Sequence, residues 1–275
     1  RFEKIKTLFK RLKPTLNVGL EGVSVSLNIE PNSKTPLLID DMMEGIEAFI
    51  KKSKRKACIV FDEFQEITTL DDAKVIEGTL RSHIQFHKDI SYMFVGSRRR
   101  VLQNMFVEEH RPFYKSAFLY RLEKIPQDEF VKFICNKFET SGKKCSSDLA
   151  TKVYEFVEGY PYYVQKLASI LWDTVEHTVT EKHVLASYEK LIEIETPDCQ
   201  AYWSSITAAQ KILLKALSET TSQELYSKTF FSKHNLSLGG TQKALKGLLL
   251  KDLVEESPVG YKLTDPIMAA WLKKA

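Results

Sequence analysis

Several signatures are missing from these 275 residues, and each absence removes a class of function. Only four cysteines occur, Cys58, Cys135, Cys145 and Cys199, and none forms a CxxC pair. That excludes a zinc ribbon and a thioredoxin-like redox motif. Cys58 falls inside an apolar run, which predicts a buried free thiol, and the whole set fits a reducing cytoplasmic setting. No stretch approaches the roughly 20 apolar residues of a membrane span. The opening "RFEKIKTLFKRLKP" has no signal-peptide core and does not begin with Met, so we expect a chain that starts inside a longer protein. The net charge of +4 is too small to argue nucleic-acid binding alone. Among six histidines, His83 and His87 stand four apart, but no HExxH glutamate lies between them. Two helix-surface histidines are the expectation.

What remains is ordinary globular material: 43% hydrophobic and 28% charged residues, long enough for one to three domains. Basic residues crowd the start (Arg1, Lys4, Lys6, Lys10, Arg11, Lys13) and the run "KKSKRK" at 51–56. Such runs read first as solvated helix ends.

Hydrophobic spacing divides the chain in three. Phe2, Ile5, Leu8, Phe9 and Leu12 predict a helix that stops at Pro14. Val23, Val25, Leu27 and Ile29 alternate with polar residues, as in one arm of a hairpin. "TPLLIDDMMEGIEAFIKKS" is an amphipathic helix pattern. "ACIVF" and "ISYMFVGS" are continuous apolar runs, as in parallel strands covered on both faces. Between them, residues 72–88 predict a helix with Val75 or Ile76, Leu80, Ile84 and His87 on one stripe. After about residue 124 four helices follow in a row, starting at 126, 147, 161 and 180, the second capped by Ser147 or Asp148. From about residue 204, a helix, a turn, a second helix and a hairpin around Pro258–Gly260 give a winged-helix pattern.

The chemistry concentrates at "ACIVFDEFQEI", residues 57–67. An apolar strand running into Asp–Glu is a Walker B arrangement. Parallel strands open at their C-terminal ends onto the ligand crevice. Asp62 there could hold Mg²⁺ on a nucleotide, and Glu63 could orient and deprotonate water. The bland alternative is a strand end with two solvated acids. One helix later, Ser97 ends the second strand, where its hydroxyl could touch the γ-phosphate or the water; it could equally be a helix cap. Arg98–Arg100 follow, either phosphate ligands or surface arginines. In "EGYPYYVQKL", Gly159 and Pro161 open a helix and could place a flat surface against adenine, or Pro161 is simply a good first helical residue.

Taken in order, "FDEFQEI", "LRSHIQFHKDISYMFVGSRR", "RPFYKSAFLYRLEKIPQDEF", "EGYPYYVQKL" and "TQKALKGLLLKDLVEESPVGYKLTDPIMAAWL" resemble the archaeal-type ATPases of the AAA+/STAND branch of P-loop NTPases. The resemblance runs from about residue 40 to the end. It implies an α/β chain: an incomplete P-loop NTPase core at 1–124, a helical lid at 125–200 and a winged-helix domain at 201–275. It implies ATP and Mg²⁺ as cofactors, with Asp62 and Glu63 as the Walker B pair, Ser97 at the sensor position and Gly159 and Pro161 as the Gly-x-Pro motif. Lys115, in "FYKSA", falls where such proteins often carry a basic residue after an aromatic.

One part of the pattern is missing. Only Gly19, Gly22 and Gly45 precede residue 57, and none opens a G-x-x-x-x-G-K-[S/T] phosphate loop. Either that loop belongs to polypeptide upstream of Arg1 or ATP binding has been discarded, and the kept Asp62–Glu63 pair favours the first. The expectation is therefore an ATP-driven switch acting through its lid and winged helix, with oligomerisation possible. The alternative is a non-catalytic regulator that binds DNA or protein. For DNA, the candidate recognition helix is 241–251, with Lys243, Lys246 and Lys251; the wing offers Lys262 but also Glu255 and Glu256.

Overall fold

The computed structural model describes residues 15–19, 22–26, 35–219, 227–234, 236–258 and 260–274. The helix expected over residues 2–12 lies outside them. The chain divides into two compact units, Arg1–Tyr120 and Arg121–Ala275.

In the first unit, β1 (Thr15–Gly19) and β2 (Gly22–Ser26) form an antiparallel hairpin, with Thr15 opposite Ser26. Leu27 and Ile29 of the expected strand fall outside the described residues. Helix α1 (Thr35–Ser53) matches the predicted amphipathic segment and buries Ile39 and Met43, one turn apart. Strand β3 (Ala57–Phe61) pairs in parallel with β4 (Ile90–Phe94), from Ala57 opposite Ile90 to Phe61 opposite Phe94. The crossover between them carries a 3₁₀ turn (Phe64–Thr69) and α2 (Ala73–Ile84). On α2 it is Ile76 and Leu80 that are buried, while Val75 is exposed. Helix α3 (Arg99–Val107) follows β4.

Among the described residues the two strands are covered on one face only, contrary to the expectation from their apolar runs. Phe61, Tyr92 and Phe94 pack against the core formed with α1, α2 and α3. On the opposite face Val60 and Met93 are 54% and 53% exposed. Cys58 shares that face and is exposed, not buried. Alternation sends every second side chain to one face, and among the described residues only one face carries helices. The histidines also differ from expectation. His83 is partly buried and contacts Asp40 at 2.7 Å, and His87, beyond the end of α2, contacts the Tyr92 hydroxyl at 2.5 Å. Burial lowers the pKa of His87.

The second unit begins with α4 (Gln127–Thr140), α5 (Ser147–Phe156), α6 (Pro161–Thr174) and α7 (Glu181–Ser204). The cap of α5 is Ser146, whose hydroxyl accepts from the Leu149 amide, one residue before the expected cap. Thr180 caps α7, its hydroxyl accepting from the His183 amide. Helix α7 runs unbroken past residue 200 into the C-terminal segment. There α8 (Ala208–Glu219), α9 (Lys228–His234), α10 (Leu238–Leu250), the antiparallel pair β5 (Val254–Ser257) and β6 (Gly260–Leu263), and α11 (Pro266–Lys274) build a winged helix. Gly239 and Gly240 lie in the first turn of α10, capped by Ser237, not in a turn before it. Helix α9 gave no clear period in the sequence. Helix α11 ties the two halves of this unit together. Its Ile267 is fully buried in the core of α4–α7, and Trp271 packs against both cores. At its start, Asp265 caps α11 through the Ile267 and Met268 amides and accepts the Tyr163 hydroxyl of α6.

Candidate functional site

The site is set by how β3 and β4 end. The Val95 amide donates to the Phe61 carbonyl at 2.8 Å, and the Phe64 amide donates to the Val95 carbonyl at 2.9 Å. These two bonds carry the pairing past the strand ends and place Asp62–Glu63 beside Gly96–Ser97. Phe64 is buried and anchors the turn. Its ring lies 4.5 Å from Phe94 and 5.5 Å from Phe113, centroid to centroid. Phe61, Phe94, Phe106 and Phe113 complete an aromatic cluster beneath the turn. That contact area holds the backbone above it in place.

Glu63 has φ 47° and ψ 40°, a left-handed conformation unusual for a residue with a side chain. Such conformations cost on the order of 1–3 kcal/mol and persist where surrounding contacts fix them. Here the contacts are visible. One carboxylate oxygen of Glu63, Oε2, accepts the Ser97 hydroxyl at 2.8 Å, the Ser97 amide at 3.3 Å and the Gln65 side-chain amide. These donors, Gln65 first and then Ser97, hold the Glu63 carboxyl below the usual glutamate range. Asp62 is exposed at the strand end, and its Oδ1 accepts the Glu63 amide at 3.0 Å.

The structure thus brings together Asp62, Glu63 and Ser97, although Ser97 is 34 residues away from Glu63. It adds Gln65, which sequence reasoning passed over. The available signal was a glutamine two residues after an acid in a turn that must bury one side. Arg98 pairs with Glu66 at 3.7 Å. Lys115 also has positive φ, and its Nζ lies 4.8 Å above the Tyr114 ring. Elsewhere in this unit, Arg111 Nη2 lies 2.8 Å from Oε1 of the buried Glu77, in ion-pair range without hydrogen-bond alignment.

Gly159 and Pro161 belong to the other unit, and both have local structural work there. Gly159 closes α5 with φ 67°, and its amide donates to the Tyr154 carbonyl at 2.9 Å. A Cβ at Gly159 would overlap the Tyr154 ring. Pro161 occupies the first position of α6, where a missing N–H costs nothing. The preceding Tyr160 ring lies 4.2 Å beneath Lys124 Nζ. On the winged helix, Lys243 and Lys246 are exposed one turn apart on α10. Lys262 of the wing lies 3.3 Å from both Glu158 and Glu255.

Magnesium fits this donor set only in company with a nucleotide. Among the described residues no three His, Cys, Asp or Glu side chains converge on a metal site. Mg²⁺ commonly takes one or two carboxylates and fills its shell with phosphate oxygens and water, and exposed Asp62 can supply one such carboxylate.

Comparison with known proteins agrees with this architecture. Residues 198–274 match a family described as "Probable winged helix domain". No curated protein matches the chain. Among solved structures, the Walker-type ATPase PABY2304 of Pyrococcus abyssi is similar over 98% of this chain and 75% of its own, with TM-score 0.64 and 13% identity. The ORC2 protein of Aeropyrum pernix, solved in ADPNP–ADP complexes, is similar over 86% of this chain and 69% of its own, with TM-score 0.53 and 14% identity. No described helix is long and apolar enough to cross a membrane. The chain therefore has a mostly helical α/β fold similar to that of the Walker-type ATPase and ORC2 structures, with a small parallel sheet and a C-terminal winged-helix domain.

Proposed function

We propose that this chain carries the metal and water side of an ATP-driven switch of the AAA+/STAND type. The observation that supports it most is the meeting of Glu63 and Ser97 across the ends of two parallel strands, 2.8 Å apart, with Asp62 exposed beside them. Bound Mg²⁺–ATP would supply the electrophilic phosphorus. Asp62 would hold the metal through its carboxylate. Glu63, already ionised and fixed in one direction, accepts the proton of the attacking water. Ser97 keeps Glu63 in place and offers its hydroxyl to the same space. Gly159 and Pro161 are assigned to the adenine.

The grip on the phosphates is assigned to polypeptide outside these residues, since no phosphate loop occurs in the 275. The apolar face of β3 and β4 that no described helix covers supports that assignment, because parallel strands are ordinarily covered on both faces. The winged helix is the output element, and a protein partner fits it better than DNA. Its wing lysine, Lys262, is already engaged by Glu158 and Glu255.

The test is Mg²⁺-dependent ATP binding by the natural polypeptide that contains this chain. Asp62→Ala should abolish the magnesium dependence. Magnesium-dependent binding that survives Asp62→Ala unchanged refutes the assignment.

A further inference from the structure

We propose that Gln65 is the positioning residue of this site, and that its buried amide, wedged beneath Gly96, fixes the Glu63 carboxylate against Ser97. The proposal rests on the reading of Glu63 as the proton acceptor for its functional consequence, but its geometry stands apart from any nucleotide.

Gln65 has no solvent-exposed surface, a costly place for a primary amide. Its Nε2 donates to Glu63 Oε2 and lies 3.4 Å from Glu66 Oε1. Its Oε1 is buried and has no hydrogen-bond partner among the described residues. A fold that only needed to fill this volume would do better with leucine, because an unpartnered buried carbonyl oxygen is costly. The side chain is retained in a state that stability alone does not favour, and the one strong bond it makes is to Glu63.

Gly96 explains why the amide stays put. A Cβ there would overlap Gln65 Oε1 and press on its Cδ. The turn after β4 therefore lies directly on the amide and blocks its rotation. Gln65 holds Glu63 from within the 3₁₀ turn, and Ser97 holds it from the neighbouring strand end. With both donors on one oxygen, the carboxylate has a single position despite its exposure.

The test uses this chain and reads the Gln65 side-chain amide by NMR. Wild type should give a Gln65 NH₂ signal shifted downfield and protected from exchange, and Glu63→Ala should return it to the range of free glutamine amides. Gly96→Ala should abolish the same signature by displacing the amide. Gln65→Leu should hold or raise the thermal midpoint, because the unpartnered oxygen is removed. In the natural polypeptide the same variant should lower kcat for ATP with KM little changed. An ordinary, unprotected Gln65 signal in wild type, or one indifferent to Glu63→Ala, overturns the proposal. A protected signal in a protein that never hydrolyses ATP upholds the hold on Glu63 and removes the ATPase reading instead.

Discussion

Glu63 combines a left-handed backbone with a carboxylate gripped from two directions, and neither feature can be read from the letters "DE". The sequence made the strand end and the two acids legible. It did not reveal Gln65, because a polar residue in a polar-looking turn gives no sign of burial until Phe64 is seen to pull the turn inward. Ser97 was found as a strand-end hydroxyl, and its bond to Glu63 is what the structure adds. Burial works in the opposite sense at Glu77. Desolvation pushes its carboxyl up, and Arg111 offsets that only in part. A carboxyl whose folded pKa is raised favours the folded state most at low pH, and that contribution is lost as pH rises above the ordinary glutamate value of about 4.3. Arg111→Ala leaves the ionised group unpaired, so it should cost about 3 kcal/mol near neutral pH. Chemical denaturation at pH 7 and pH 4 checks this: the loss should shrink at the lower pH, where Glu77 takes up a proton. An equal loss at both would mean that the charge on Glu77 does not set the cost.

The strands β3 and β4 were located from their apolar runs; β3 ends at Phe61 as expected, whereas β4 stops at Phe94, three residues short of Ser97. Their environment was not legible, because a continuous run states what a strand can bury on each face and not what is available to cover it. The two faces should therefore answer mutation very differently. Phe64→Ala removes the centre of the aromatic cluster and should cost about 3–5 kcal/mol. Val60→Thr, on the bare face, should change stability by about 0.5 kcal/mol or less. Thermal or urea unfolding of the two variants decides it; a large loss for Val60→Thr would mean that the face is covered in solution. The helical elements show the same division. Periodicity located α1 and α4–α7, whereas the cap at Ser146 and the short α9 depend on contacts that spacing does not encode.

At the scale of the whole molecule, the order of strands, helices and winged helix was readable because each part has its own period. The docking of α11 was not. Its Ile267 pattern looks like any amphipathic helix, and only the structure reveals that it serves the core of α4–α7. The winged helix offers two exposed lysines on α10 and an engaged lysine on its wing. Charge reversal at Lys243 and Lys246 should leave any duplex-DNA binding in a gel shift at moderate salt nearly unchanged, as expected for a protein-directed surface. A salt-sensitive shift abolished by the reversal would favour DNA. Water activation at the exposed end of β3 is tested most directly by ATP turnover at saturating nucleotide in the natural polypeptide, wild type against Glu63→Gln. The variant should still bind Mg²⁺–ATP while turnover falls about 10²–10⁴-fold; turnover equal to wild type would rule Glu63 out as the proton acceptor.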